Sequence, residues 1–324
     1  MNLRRRNLIA FGSAVFLAPR LVAAQRPAKV HRVGWLGTSL ALQGNFLEEV
    51  KKVMRDLGYI EGQNIVFDSR WAEGKNERLP ALATELVALQ PDLIASDGTP
   101  GTLAAKQATA TIPIVMIGVG DPVRAGFVAS LGHPGGNITG YSNMHANIGP
   151  KNLELLHTVV PNATRIAVLI SDNPSHLFAV EEIRKVATRL GLTILPTLAS
   201  SPMEFEKAFA SMTKQQADAL IVMPDTRFAL YFKKIGELVA GANLPTIGVN
   251  NLEPSGLLSY GWNTRNVHKI IASYLDKILK GAKPSNLPVQ QPTEFELVIN
   301  MKTAKALGIT IPQEILLRAD RVIE

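Results

Sequence analysis

The stretch Arg165-Ile166-Ala167-Val168-Leu169-Ile170 is a continuous β-branched and apolar run. It is followed by helical spacing over 177–190 and then by a second short run, Leu192-Thr193-Ile194-Leu195. A run that is apolar on both faces reads as a strand buried on both sides of a sheet, and an amphipathic helix between two such runs reads as a βαβ unit. Moving outward, Ala219-Leu220-Ile221-Val222-Met223 and Thr246-Ile247-Gly248-Val249 continue the pattern, with helical stretches at 203–215 and 228–242 between the runs. Successive runs begin about 27 residues apart, the length of one strand, one helix and two turns. The same alternation occurs earlier in the chain. Arg32-Val33-Gly34-Trp35-Leu36, Ile65-Val66-Phe67, Asp92-Leu93-Ile94-Ala95 and Ile112-Pro113-Ile114-Val115-Met116-Ile117 enclose amphipathic stretches at 46–57, 79–89 and 102–110. The expectation is an α/β protein of two similar, doubly wound parallel-sheet lobes. Pro134-Gly135-Gly136 and the short β-rich tail after it read as a crossover between them. Beyond Gly256 one further helix, 267–279, is followed by extended chain through 284–292 into 295–300, which can cross back. The expected partition is 28–145 with 251–285 as the first lobe and 146–250 with 286–324 as the second, joined by a multi-segment hinge.

The 324 residues are 46% hydrophobic and 19% charged, with no cysteine. That composition excludes a disordered or collagenous chain, and the missing cysteine excludes disulfides, thiolate metal sites and a cysteine nucleophile. The formal charge is +7, but four arginines and no acid lie in residues 1–24, which leaves +3 for the rest. A nucleic-acid-binding protein would keep its positive charge in the folded part. Residues 1–24 read as an export signal. Arg4-Arg5-Arg6 precede an apolar stretch over 8–19 that is too short to span a bilayer, and Val22-Ala23-Ala24 offer small residues before Gln25. Arg5-Arg6 fit either the general secretory or the twin-arginine route. The mature protein is expected in the periplasm, with no membrane span.

Catalytic signatures are missing from the sequence. There is no GxxxxGK[ST] loop, no HExxH and no GxSxG, and the six histidines make no pair with metal-ligand spacing. No catalytic residue, metal or cofactor is expected. What remains is a set of polar residues at the carboxyl ends of the strands, where open parallel sheets bind ligands and helix N-termini point. Ser39, Thr99 and Asp121 stand there in the first half, and Asn173, Asp225 and Asn250 in the second. Each is equally a helix cap by type. Tyr260 is either a core residue or an aromatic platform for a ligand. If the residues bind, a hydroxyl and nearby N–H groups hold a carboxylate, and Asp121 or Asp225 pairs with an ammonium.

Several longer motifs carry a resemblance. Arg70-Trp71-Ala72-Glu73-Gly74, Val119-Gly120-Asp121-Pro122-Val123, Pro134-Gly135-Gly136-Asn137-Ile138-Thr139-Gly140, Leu257-Leu258-Ser259-Tyr260-Gly261, Leu287-Pro288-Val289 and Phe295-Glu296-Leu297-Val298-Ile299-Asn300 occur in order along the chain. With them the sequence resembles the TrpX-like family of ABC-transporter substrate-binding proteins, which have the type I periplasmic-binding fold. The resemblance implies a receptor that captures a small solute between its lobes and hands it to a membrane permease. Named members of that family take aromatic amino acids. Two other uses of such a fold are an enzyme working in the cleft and the sensor half of a transcription regulator. The first needs a nucleophile or acid with a base partner, and the second a DNA-binding helix-turn-helix; the sequence offers neither.

Overall fold

The computed structural model describes residues 29–248 and 255–324. The export-signal expectation for residues 1–24 and the candidate Asn250 lie outside the described residues.

The first lobe is built on five parallel strands. They are β1 (His31–Gly37), β2 (Ile65–Trp71), β3 (Leu93–Asp97), β4 (Ile114–Val119) and β5 (Ile138–Ser142), in the order β2-β1-β3-β4-β5. The helices α1 (Leu40–Asp56), α2 (Leu79–Ala88) and α3 (Gly98–Ala108) connect the first four of them. The apolar runs form the centre of the sheet, where both faces are covered. Val33, Leu93 and Val115 face one core with Leu47 and Val50 of α1, while Ile94, Ile114 and Met116 face another with Leu86 of α2 and Ala105 of α3. β2 runs to Trp71, four residues beyond the sequence expectation, because an edge strand tolerates Asp68, Ser69 and Arg70. The Pro-Gly-Gly stretch leads into β5, so the fifth strand belongs to this sheet and the crossing comes after it. Gly140 fits β5 against its neighbour: its φ is +134°, and a Cβ there would collide with the Met116 backbone.

The second lobe carries β6 (Arg165–Ile170), β7 (Thr193–Leu198), β8 (Ala219–Val222), β9 (Thr246–Gly248), β10 (Leu258–Trp262), β11 (Phe295–Asn300) and β12 (Arg321–Ile323). Their order is β12-β11-β10-β9-β8-β6-β7, parallel except for the β10–β11 pair. Helices α4 (His145–Val159) and α5 (Pro174–Leu190) share one core cluster, and α6 (Pro202–Lys214) and α8 (Phe232–Ala242) share another. The single helix expected over 228–242 is broken at Tyr231 into α7 (Thr226–Leu230) and α8. The C-terminal segment adds α10 (Met301–Ala306) and α11 (Gln313–Leu316).

The expected lobe partition is corrected within 251–290. β10 does not belong to the first lobe: it pairs with β9 and β11. Only α9 (Val267–Leu279) returns, laying Ile271, Leu275 and Ile278 on the core shared by α1 and the first sheet. Residues 284–290 also stay with the first lobe, because Gln290 donates to Gly140 O and accepts from Ser142 N, both at 2.9 Å. Among the described residues the chain therefore crosses between lobes three times: just after Ser142, between β10 and α9, and between Gln290 and β11. The last two crossings are joined where Asn263 N–H donates to Glu294 O at 3.1 Å. Met144, at the first crossing, has left-handed backbone with φ 58° and ψ 39°.

Candidate ligand-binding site

The carboxyl ends of β1, β3, β4 and β5 face those of β6, β8, β9 and β10. Between them lies a cavity of about 340 Å³, lined from both lobes. That size suits one small ligand.

Each lobe places a carboxylate here by the same device. At the exit of β3, Asp97 accepts from the Thr38 hydroxyl at the exit of β1, at 2.6 Å. At the exit of β8, Asp225 accepts from the Ser171 hydroxyl at the exit of β6, at 2.7 Å. Asp225 also accepts from Asn173 Nδ2 at 3.3 Å and from the Arg227 N–H at 2.7 Å, so it caps α7 and lines the cavity at once. The Thr226 hydroxyl reaches Asp97 across the cleft at 3.5 Å. Burial pushes the Asp97 carboxyl above its ordinary range, and the facing Asp225 pushes it the same way. Hydrogen bonds from Thr38, Gln43 and Thr226 pull against this shift. Two acids thus meet across a space with no Lys, Arg or His among the described residues that line it.

The rest of the lining is apolar and aromatic. Phe46 of α1, Tyr141 of β5, Phe232 of α8 and Trp262 of β10 surround it, with Ile117, Val222, Met223 and Val267. Burial raises the Tyr141 phenol to about 12, so it stays neutral at physiological pH.

Ser171, His176 and Asp225 have the composition of a hydrolytic triad but not its wiring. His176 Nδ1 accepts from the Ser171 backbone N–H at 3.0 Å, and its Nε2–H donates to Pro224 O at 3.0 Å. The Nδ1 lone pair is already engaged by the Ser171 N–H; the Ser171 hydroxyl lies 3.3 Å from it but makes its shorter bond, 2.7 Å, to Asp225. The cluster positions a carboxylate; it does not activate a nucleophile.

Of the residues singled out from sequence, Asn173 and Asp225 line the cavity. Asn173 also caps α5, accepting from the Ser175 N–H at 3.1 Å. The remaining four described candidates are placed elsewhere. Ser39 is buried at the start of α1 behind Thr38, and Thr99 turns its hydroxyl to the Gly120 N–H at 3.3 Å. Asp121 accepts from the Arg124 N–H in a turn outside the cavity. Tyr260 stacks on Phe295, ring centroids 5.9 Å apart, while Trp262, two residues on, reaches the cavity. Sequence reasoning placed Asp97 among the strand-end residues and weighed Tyr141, but chose Thr99 and Tyr260 over them, and it passed over Asn143, Phe46, Phe232 and Trp262. The Asp97-Gly98-Thr99 turn was the available signal, and the side chain that points inward is the first of the three.

The lobes touch across the cleft. Asn76 Nδ2 donates to Asp172 Oδ1 at 3.2 Å, and Arg124 pairs with Glu181 and Glu182 while its guanidinium lies 4.6 Å from the Phe178 ring centroid.

Two parallel-sheet lobes, crossed by three chain segments and closed over a ligand-sized cavity at their strand exits, define a bilobal solute-binding protein. The comparisons narrow the class. Residues 44–323 match the family of ABC transporter substrate binding proteins, and the chain belongs to that family. It is similar to a tyrosine-binding protein of Clostridioides difficile (strain R20291), 28% identical over 281 residues that cover 85% of this chain and 81% of the relative. Among solved structures, an ABC domain in complex with L-Trp from Streptococcus pneumoniae is 28% identical with a TM-score of 0.81, covering 91% of this chain and all of that one. The ligand-free, open structure of a substrate-binding protein with adhesive properties from Clostridium difficile covers 91% and 99%, at 25% identity, but with a TM-score of only 0.64. The protein is a solute-binding receptor of an ABC transport system, and among its described residues no helix is long and apolar enough to cross a membrane.

Proposed function

We propose that the solute is an amino acid with an apolar, aromatic-sized side chain. The carrying observation is the facing pair Asp97 and Asp225 in a cavity that is otherwise aromatic and has no cationic lining residue among those described. An ammonium between the carboxylates relieves their mutual repulsion, and it does so only when the lobes are closed. Ligand binding and closure are therefore linked. The carboxylate is received by backbone N–H groups at the start of α3, where the Asp97 side chain makes no capping bond. Phe46, Tyr141, Phe232 and Trp262 pack on the side chain. The tyrosine and L-Trp of the relatives support this reading. The receptor is exported, works in the periplasm and passes its ligand to a membrane permease; Arg4-Arg5-Arg6, the apolar stretch after them and Val22-Ala23-Ala24 support the export.

The test is a melting screen of amino acids against their decarboxylated and deaminated analogues and sugars. A ligand at 100 times its dissociation constant stabilises the fold by about 2.7 kcal/mol. Aromatic amino acids should shift the melt, and deaminated analogues should fail. A response to sugars alone sinks the assignment. An intact mass beginning at Gln25 in the periplasmic fraction checks export; a retained leader in the cytosol refutes it.

A further inference from the structure

The motif Arg70-Trp71-Ala72-Glu73-Gly74 closes β2, and none of its residues lines the ligand cavity. The chain turns there. Lys75 N–H donates to Ala72 O at 3.1 Å, and the two residues between them, Glu73 and Gly74, have left-handed backbone with φ 53° and 75°. Positive φ at both central residues is the pattern of a type I′ turn. Such a conformation costs free energy at Glu73, and the first lobe holds the turn in it. Ala72 N–H donates to Gly37 O at 3.0 Å and Gly74 N–H to Thr38 O at 2.9 Å. The Trp71 ring lies over Gly37, where a Cβ would collide with it.

What the turn meets belongs to the second lobe. A Cβ on Gly74 would stand 2.8 Å from a methyl of Leu230, the last residue of α7. Asn76, just past the turn, donates to Asp172 Oδ1 at 3.2 Å. Arg227 of α7 holds the same carboxylate, its two Nη atoms donating at 2.7 and 3.3 Å. The receiving surface is braced from behind. Phe228 is fully buried with its ring 5.7 Å from that of Phe205, and Tyr231, where the helix breaks, packs on Phe205 at the same distance.

Both partners in this contact are connected to the ligand cavity. The Thr38 carbonyl holds Gly74 while its hydroxyl holds Asp97. α7 starts from Asp225 and presents Thr226 and Ala229 to the cavity, while Leu230 meets the turn. A contact between residues of different lobes exists only while the lobes are together, so whatever it contributes favours that arrangement alone. We infer that the Ala72–Asn76 turn is a latch that holds the two lobes together by seating on Leu230 and Asp172, and that Gly74 lets it seat because a side chain there would keep the turn off α7. The inference rests on the receptor class and not on the identity of the solute.

The chain has no cysteine, so two introduced thiols report on lobe separation without interference. Arg124 and Glu181 pair across the cleft. In the ligand-free Arg124→Cys/Glu181→Cys receptor, bis-maleimidoethane should join the two thiols. Intact mass separates the joined product from one that has taken up two reagents. Gly74→Asn in this parent should lower the ratio of joined to doubly modified product at least about fivefold, the low end of an overpacking penalty. Asparagine tolerates left-handed backbone, so bulk against Leu230 is what varies. Leu230→Ala makes room, and adding it to Gly74→Asn should return the ratio to that of Leu230→Ala alone. Leu230→Trp crowds the contact from the other side and should lower the ratio likewise, which carries the test if Gly74→Asn folds poorly. Gly62→Asn, at a glycine with φ 81° and nothing within 4 Å, should leave the ratio within about twofold. The latch is overturned by a parent that is never joined, by a Gly74→Asn ratio equal to the parent's, by an equal drop in Gly62→Asn, or by a drop that persists beside Leu230→Ala.

Discussion

The two ends of the sheets use aspartate in opposite ways, and both lobes do so at corresponding positions. At the entering ends, Asp92 before β3 accepts from the Arg32 N–H at the start of β1, and Asp218 before β8 accepts from the Arg165 N–H at the start of β6, each at 2.8 Å. Burial works against ionisation there. It is outweighed by Lys29 and the Arg32 N–H at Asp92, and by the Thr164 and Arg165 backbone at Asp218, so both carboxyls titrate below their usual range. At the exits, Asp97 and Asp225 are turned toward each other, and Asp97 is shifted upward. One end of each lobe is stabilised by its charge; at the other, burial and the facing Asp225 hold Asp97 toward its neutral form.

The largest test of this contrast is neutralising the exits. Asp97→Asn and Asp225→Asn should each cost about 2–5 kcal/mol of amino-acid binding, the range for removing one partner of a buried charge pair. Asp97→Asn should at the same time raise the ligand-free melting temperature at neutral pH. The sign follows from linkage. A carboxyl with a raised folded pKa destabilises once ionised, and the penalty disappears as pH falls through that value toward 3.8. The gain from Asp97→Asn should therefore vanish in acid. A variant that binds as well as the parent, with an unchanged melt, breaks the contrast.

The entering ends should respond in the reverse sense. Asp92→Ala and Asp218→Ala should each lose stability, about 1 kcal/mol, since Asp218 is exposed and screened and Asp92 half-buried. Ligand affinity should change less than about twofold. Their contribution is fully present above pH 3.8 and is lost as pH falls through their lowered folded values. Denaturant melts between neutral pH and pH 3 read this directly. A loss of affinity comparable to that at the exits would erase the distinction between the two ends.

The smallest effect concerns the charges at the cleft mouth. Arg124→Ala removes the pairs to Glu181 and Glu182 and the stacking on Phe178. Exposed pairs contribute about 0.2–1 kcal/mol, so release should quicken by up to about fivefold. Parent affinity should weaken with salt more than that of the variant. Stopped-flow dissociation at two ionic strengths separates the outcomes, and identical salt slopes remove Arg124 from closure.

Much of the fold was legible because buried parallel strands write themselves as unbroken apolar runs. β1, β3, β4, β6 and β8 fall on such runs. Elements whose identity depends on pairing were harder. β5 begins after a Pro-Gly-Gly turn and contains Gly140, and its β-rich run reads as a crossover between lobes until its pairing with β4 beside the Met116 backbone is known. β10 joins the second sheet through its register with β9 and β11, and no local pattern states that choice. The site was legible as a place, the strand exits, more than as particular side chains. Asn173 and Asp225 are both caps and lining, so either reading leads to them. Thr99 and Asp121 have equally good capping sequences but spend their oxygens on the Gly120 and Arg124 N–H groups. Which oxygen remains available is a property of the assembled loops.

The return of α9 to the first lobe has a consequence for how the chain becomes a protein. Ile271, Leu275 and Ile278 complete a core whose other members include Val33, Leu47, Val50 and Leu93. During synthesis those early residues are made long before their cover. A partial chain ending anywhere within the second lobe carries an unsealed apolar face, and closing a loop of some two hundred residues is entropically slow to reward. The first lobe therefore cannot finish folding ahead of the second.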